Sequence, residues 1–204
     1  MNKRIGIIGG TFNPIHIAHL IIAETFFYQL QLDKCFFVPT YISPFKINNT
    51  NDLVAIEHRL EMLKISINEN KKFEIDTYEI DKEEISYTIN TIEYFKSRFP
   101  KDELFLLIGD DQAIYFDKWK DWTKIIEKVQ LCIAKRKFDL KDRDREKINN
   151  TLSSKNKSPI WLDNPIIEIS SESIRERIRN NKPIKYLVTK EVEKYIINNK
   201  LYLT

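Results

Sequence analysis

Short apolar runs recur along this chain, each followed by a longer stretch with apolar residues at every third or fourth position. Ile5-Gly6-Ile7-Ile8, Cys35-Phe36-Phe37-Val38, Leu104-Phe105-Leu106-Leu107-Ile108 and Leu131-Cys132-Ile133-Ala134 carry no polar alternation. Strands of that kind must be buried on both faces, the condition of a parallel sheet covered by helices on each side. The stretches between supply the helices. His16 to Gln31 aligns Leu20, Ala23, Phe27 and Leu30; Leu53 to Ile67 aligns Ile56, Leu60, Leu63 and Ile67; Tyr87 to Phe99 aligns Ile89, Ile92, Phe95 and Phe99. Phe73-Glu74-Ile75, Tyr78-Glu79-Ile80, Ile160-Trp161-Leu162 and Ile166-Ile167-Glu168-Ile169 read as further short strands. Lys135 to Lys157 reads as a helix plus a loose connection, and Ser171 to Asn181 and Thr189 to Asn198 as closing helices. The expected architecture is α/β, a doubly wound and mostly parallel sheet in a single domain over 1–204, with 170–204 a small helical subregion.

A chain of 204 residues with 42% hydrophobic and 12% aromatic content has enough apolar surface to fold around its own core. Its 33 Lys+Arg nearly balance its 30 Asp+Glu, so the net charge of +3 gives no reason to expect nucleic acid or an anionic membrane as partner. The basic cluster Lys135-Arg136-Lys137 is diluted by Asp139, Asp142 and Asp144 and reads as solvated surface. No apolar run approaches the ~20 residues that span a bilayer. The run after Met1-Asn2-Lys3-Arg4 is too short for a signal peptide. The two cysteines, Cys35 and Cys132, each lie in an apolar run and read as reduced core thiols. A cytoplasmic protein is the expectation, as a monomer or a homo-oligomer.

The glycines point to a site. There are four, Gly6, Gly9, Gly10 and Gly109; three open the chain and the fourth directly follows the strand ending at Ile108. Both places are strand ends, where open α/β sheets bind ligands and where backbone must turn tightly or approach something closely. The segment Gly9-Gly10-Thr11-Phe12-Asn13-Pro14-Ile15-His16-Ile17-Ala18-His19 runs from the first strand into the first helix. It matches neither the dinucleotide fingerprint nor a P-loop. It combines a helix N-terminus with two imidazoles at i and i+3 on one face, a set that suits anionic phosphate oxygens. Half of a zinc site, or two capping histidines, would use the same residues, although only His58 remains as a further histidine. A second strand-to-helix junction, Ile169-Ser170-Ser171-Glu172-Ser173-Ile174-Arg175, offers hydroxyls, free N–H groups and a guanidinium. Taken alone it is an ordinary N-cap.

Together and in this order, the two segments resemble the H-x-G-H and I-S-S-T-x-I-R signatures of the nucleotidylyltransferase superfamily. Within it the chain is similar to bacterial nicotinate-nucleotide adenylyltransferases across nearly its whole length. The matching stretches include Val38-Pro39-Thr40 with Ser43-Pro44-Phe45-Lys46, His58-Arg59-Leu60-Glu61-Met62-Leu63 and Ser86-Tyr87-Thr88. They also include Leu107-Ile108-Gly109-Asp110-Asp111 with Phe116, Trp119 and Trp122.

The resemblance implies a Rossmann-like nucleotidyltransferase fold. It implies transfer of AMP from ATP to nicotinate mononucleotide, giving deamido-NAD and pyrophosphate, with Mg2+ carried on the ATP phosphates and no metal held by the protein alone. His16, His19, Lys46 and Arg175 would act on the phosphates. Gly9, Gly10, Thr11, Phe12, Gly109, Asp111, Ser170 and Ser171 would bind the nucleotide, with Asp111 on a ribose hydroxyl. Tyr87, Thr88 and Trp119 would form the nicotinate pocket, and Trp122 would be core. Three departures stand out: Ala18 for the glycine of the first signature, Asn13 for an aspartate, and Glu172 for the threonine of the second, its side chain expected to point outward. Phe45 leaves Lys46 the donor of its loop. The rival readings are transfer to another acceptor, such as phosphopantetheine or nicotinamide mononucleotide, and a nucleotide-binding regulatory module without chemistry.

Overall fold

The computed structural model describes residues 2–45, 53–136 and 141–203. Strand and helix alternate: β1 (Arg4–Gly10), α1 (Ile17–Gln29), β2 (Lys34–Pro39), α2 (Ile56–Ile67), β3 (Phe73–Ile75), α3 (Tyr78–Asp81), α4 (Thr88–Arg98) and β4 (Glu103–Gly109). Then follow α5 (Asp110–Ala113), a 3₁₀ turn (Phe116–Lys118), α6 (Trp122–Lys128), β5 (Gln130–Ala134), α7 (Asp142–Ser153), β6 (Ile160–Trp161), α8 (Ser171–Arg179) and α9 (Lys190–Asn198). The described strands form one sheet in the order β3-β2-β1-β4-β5-β6, and every pairing is parallel. Strand order reverses between β1 and β4, so the crevice beyond their carboxyl ends is the place such sheets offer to a ligand.

Because side chains alternate along a strand, each apolar run feeds both faces. Ile8, Cys35, Phe37, Phe105, Leu107 and Cys132 point to one face, where α1, α2, α8 and α9 cover them through Phe26, Met62, Leu63, Ile174, Val192 and Ile196. Ile5, Ile7, Phe36, Val38, Leu106 and Ile133 point to the other, under Ile92 and Phe95 of α4, Ile125 of α6 and Ile148 of α7. Full burial of each such side chain is worth roughly 1.5–3 kcal/mol. A Cβ at Gly6 would stand 2.7 Å from the Phe26 ring, so this glycine lets α1 sit close on β1. Both cysteines are buried and free, and burial pushes the Cys132 thiol up to about 12.

Two expected strands are absent. Tyr78 to Ile80 lies in α3, because the Asp76 carboxylate accepts the Tyr78 N–H at 3.0 Å and starts a helical turn, and the Tyr78 ring stacks on Tyr94 at 4.2 Å. Ile166 to Ile169 forms no ladder. Asn164 has already taken the main-chain partners there, its amide accepting from Lys135 N and donating to Lys135 O, and Pro165 follows. Among the described residues no helix is long and apolar enough to cross a membrane.

Candidate active site

Gly9 and Gly10 lie inside β1, and the tight turn expected of them falls one step later. Phe12 is the residue with positive φ, at 49°, and the Asn13–Pro14 peptide is cis. A Cβ on Gly9 would meet nothing within 4 Å, so its main chain faces open space at the strand end. The Phe12 ring is buried, 5.7 Å from Phe37 and edge-on to His19 at 5.3 Å. What Phe12 offers a ligand is therefore main chain.

The turn delivers His16 as the N-cap of α1. Its ring stacks on that of His19, centroids 3.7 Å apart, and its own N–H donates to His19 Nδ1 at 3.2 Å. That bond leaves the His19 proton on Nε2, an assignment made from the hydrogen-bond network. His16 is 2% exposed, and neither of its ring nitrogens has a partner among the described residues. Burial, helped by Arg136, lowers the His16 pKa to about 3; burial, His16 and Arg136 hold His19 well below its ordinary range. Both imidazoles are thus held in the neutral form at pH 7, with the hydrogen-bonding capacity of that form and no fixed charge.

Arg136 belongs to the basic cluster expected to be solvated surface, yet its side chain is paired with a carboxylate. Its position just past β5 brings it beside the end of β4, because Gly109 pairs with Ala134. Its guanidinium is 3.5 Å from the Asp111 carboxylate, and its N–H donates to Asp110 at 3.1 Å. A Cβ on Gly109 would lie 2.3 Å from Asp111 Oδ1 and 2.7 Å from Arg136 Cδ, so only glycine permits this packing. Nothing in a run of basic residues distinguishes the member that turns inward; the β4–β5 register does.

The second junction docks on the first. Ser170 and Ser173 cap α8 reciprocally, the Ser170 hydroxyl accepting the Ser173 N–H at 3.0 Å. The Ser171 hydroxyl donates to Pro14 O at 2.8 Å and Arg175 donates to Asn13 O at 2.9 Å. The Asn13 side chain, buried in its turn, accepts from the Tyr202 hydroxyl at 2.9 Å. The start of α8 and the His16 turn therefore meet as one surface beside β1. Glu172 is exposed and Ala18 is buried. Arg59, fully buried, clamps the same region by donating to Thr11 O at 3.0 Å and Thr40 O at 2.8 Å.

Tyr87 caps α4 and Thr88 is its first residue. Trp119 is half-buried, its ring 5.2 Å from Phe116 and 6.0 Å from the exposed Phe45. Trp122 is also only half-buried, 6.1 Å from Phe116, so the division of the two tryptophans into pocket and core is not one of burial. The Lys120 ammonium sits 4.4 Å over the Tyr87 ring and so joins the Trp119 and Tyr87 segments. Lys120 carries no sequence pattern of its own. Lys46 lies outside the described residues. Among those residues no three His, Cys, Asp or Glu side chains gather as a metal site.

Residues 7–177 match the cytidylyltransferase-like family. The chain is 38% identical over 98% of its length to a probable nicotinate-nucleotide adenylyltransferase of Borreliella burgdorferi, covering 97% of that protein. It is 37% identical to the nicotinate-nucleotide adenylyltransferase of Bacillus subtilis, with 98% of each chain covered. In fold it is similar to the Plasmodium falciparum nicotinic acid mononucleotide adenylyltransferase complexed with APC, with a TM-score of 0.74 at 20% identity over 98% of each chain. With the His16 turn and the α8 junction joined at the switch point of a parallel sheet, and with relatives of this identity along its full length, the chain belongs to the nicotinate-nucleotide adenylyltransferases of the cytidylyltransferase-like family.

Proposed function

We propose that this protein transfers AMP from ATP to nicotinate mononucleotide, a reaction of the cytoplasm. The observation that carries the reading is the docking of α8 on the His16 turn, Arg175 to Asn13 and Ser171 to Pro14. It unites two helix N-termini, a guanidinium and two stacked imidazoles beside one crevice. A 5′-phosphate oxygen of the mononucleotide attacks the α-phosphorus of ATP, the bond from that phosphorus to the bridging oxygen breaks, and pyrophosphate leaves. The acceptor phosphate is already nucleophilic at neutral pH, so the protein's work is alignment and charge stabilisation.

His19 Nε2–H donates to the phosphate oxygens that gain charge, with His16 beside it. The main chain of Gly9, Gly10, Thr11 and Phe12 lies along the nucleotide, next to Gly109. Arg175 with Ser170 and Ser171 closes the phosphate side, Lys46 adds a cation, and Asp111 accepts from a ribose hydroxyl. Arg136, which pairs with Asp111, is the added cation of this reading. The carboxylates of Asp110 and Asp111 are already engaged with Arg136. That set fits a magnesium ion held by phosphate oxygens and water, which neutralises charge on the triphosphate when bound.

The Trp119 ring stacks on the pyridine, and its carboxylate meets Thr88 at the positive end of α4, beside Tyr87. Pyrophosphate release from ATP, measured with nicotinate mononucleotide, nicotinamide mononucleotide and phosphopantetheine in parallel, tests the reading. The acid mononucleotide is expected to give the highest kcat/KM; release with phosphopantetheine alone, or with no acceptor, would overturn it. Lys120→Met is expected to lower kcat/KM for the acid about three- to tenfold and to leave the amide unchanged, since an exposed cation contributes roughly 1 kcal/mol. Equal losses on both substrates would remove Lys120 from carboxylate recognition.

A further inference from the structure

Glu79 is 7% exposed and belongs to no part of the chemistry above. The Thr91 hydroxyl, in the first turns of α4, donates to its Oε1. Its Oε2 is buried without a hydrogen-bonding partner among the described residues. Glu79 lines a cavity of about 220 Å³ together with Tyr78, Ser86, Tyr87 and Asn90. A carboxyl in such a place costs free energy that an apolar side chain of the same size would not. Stability therefore does not explain it, and its neighbours suggest what does.

Ser86 directly precedes Tyr87 and Thr88. Its hydroxyl accepts the Tyr41 N–H at 3.0 Å, its own N–H donates to Ile42 O at 2.9 Å, and Ile42 pairs with Ile85 as an isolated bridge. The loop leaving β2, which carries Phe45 against Trp119, is thus tied to the start of α4 at one residue. Glu79 lines one cavity with Ser86, Tyr87 and Thr91. We propose that Glu79 is a positioning residue for the mononucleotide subsite, anchored to α4 through Thr91 and packed beside the Ser86-Tyr87-Thr88 turn so that Tyr87 and Thr88 stay in register with the β2 loop. This rests on the reading of Tyr87, Thr88 and Trp119 as that subsite.

Burial raises the Glu79 pKa against the pull of the Thr91 hydroxyl, and Asp76 adds to the rise. Glutamine keeps the side-chain shape and the Oε1 acceptor that Thr91 uses.

Steady-state kinetics of the wild type, Glu79→Gln, Glu79→Leu and Thr91→Val test the assignment. Glu79→Leu and Thr91→Val are expected to raise KM for nicotinate mononucleotide about tenfold, with KM for ATP within about twofold and Glu79→Gln close to wild type. Should the leucine variant not fold, Thr91→Val, which keeps shape and removes the donor, carries the test. An unmoved mononucleotide KM, equal rises in both KM values, or a glutamine variant as impaired as the leucine variant would overturn it. A wild type inactive on nicotinate mononucleotide removes the functional reading, and this role with it; an active wild type with unmoved variants removes this role alone.

Discussion

Replacing His19 with alanine is expected to lower kcat about 10²- to 10³-fold while KM for ATP changes only a few-fold, the size of effect seen when a preorganised donor to developing charge is lost. The grounds are structural. The imidazole is neutral, since burial, His16 and Arg136 all disfavour its charged form. It is also directional, because Nδ1 is occupied by the His16 N–H and the proton is left on Nε2. The stacked His16 ring holds its plane. Such a group contributes little to ground-state attraction, which charge governs, and more to the transition state, where the leaving oxygen becomes a strong acceptor. Pyrophosphate release at saturating substrates measures the effect. A variant with kcat within about twofold of wild type would take His19 out of the mechanism.

Arg175→Ala is expected to reduce kcat/KM about 10²-fold and, separately, to lower the melting temperature. The guanidinium both faces the phosphates in our reading and donates to Asn13 O, tying α8 to the first turn. A hydrogen bond from a charged donor contributes roughly 1.5–3 kcal/mol. In a chain of this size that corresponds to a fall of about 3–12 °C in the melting temperature. Arg175→Lys restores charge without the planar fork and should recover little of the kcat/KM. If the lysine variant matched wild type in rate and melting, the fork geometry would be irrelevant and Arg175 would be a distant charge only.

The strands were legible because runs such as Leu104 to Ile108 are apolar on both sides, which nothing but a doubly covered sheet accommodates. The helices were legible from period, and the two junctions from the gathering of glycine, histidine and hydroxyl residues at strand ends. What escaped was what tertiary partners decide. The Tyr78 to Ile80 alternation is that of a strand, and one carboxylate, Asp76, turned it into a helix. The positive φ of the turn belongs to Phe12 and not to a glycine, a conformation bought by the burial of its ring. Arg136 and Lys120 are ordinary surface residues by composition. Only strand register turns Arg136 toward Asp111, and only the 3₁₀ turn after Phe116 sets Lys120 over Tyr87. Arg59 carried a motif resemblance, but its service to two carbonyl groups on separate loops has no trace in spacing.

The braces on the Asn13 turn come from Ser171, Arg175 and Tyr202, which lie far along the sequence from it. The Asn13 and Pro14 carbonyls therefore lack these donors until the distant segment has folded against them. Order at the Asn13 turn is thus coupled to order in α8 and the segment that carries Tyr202.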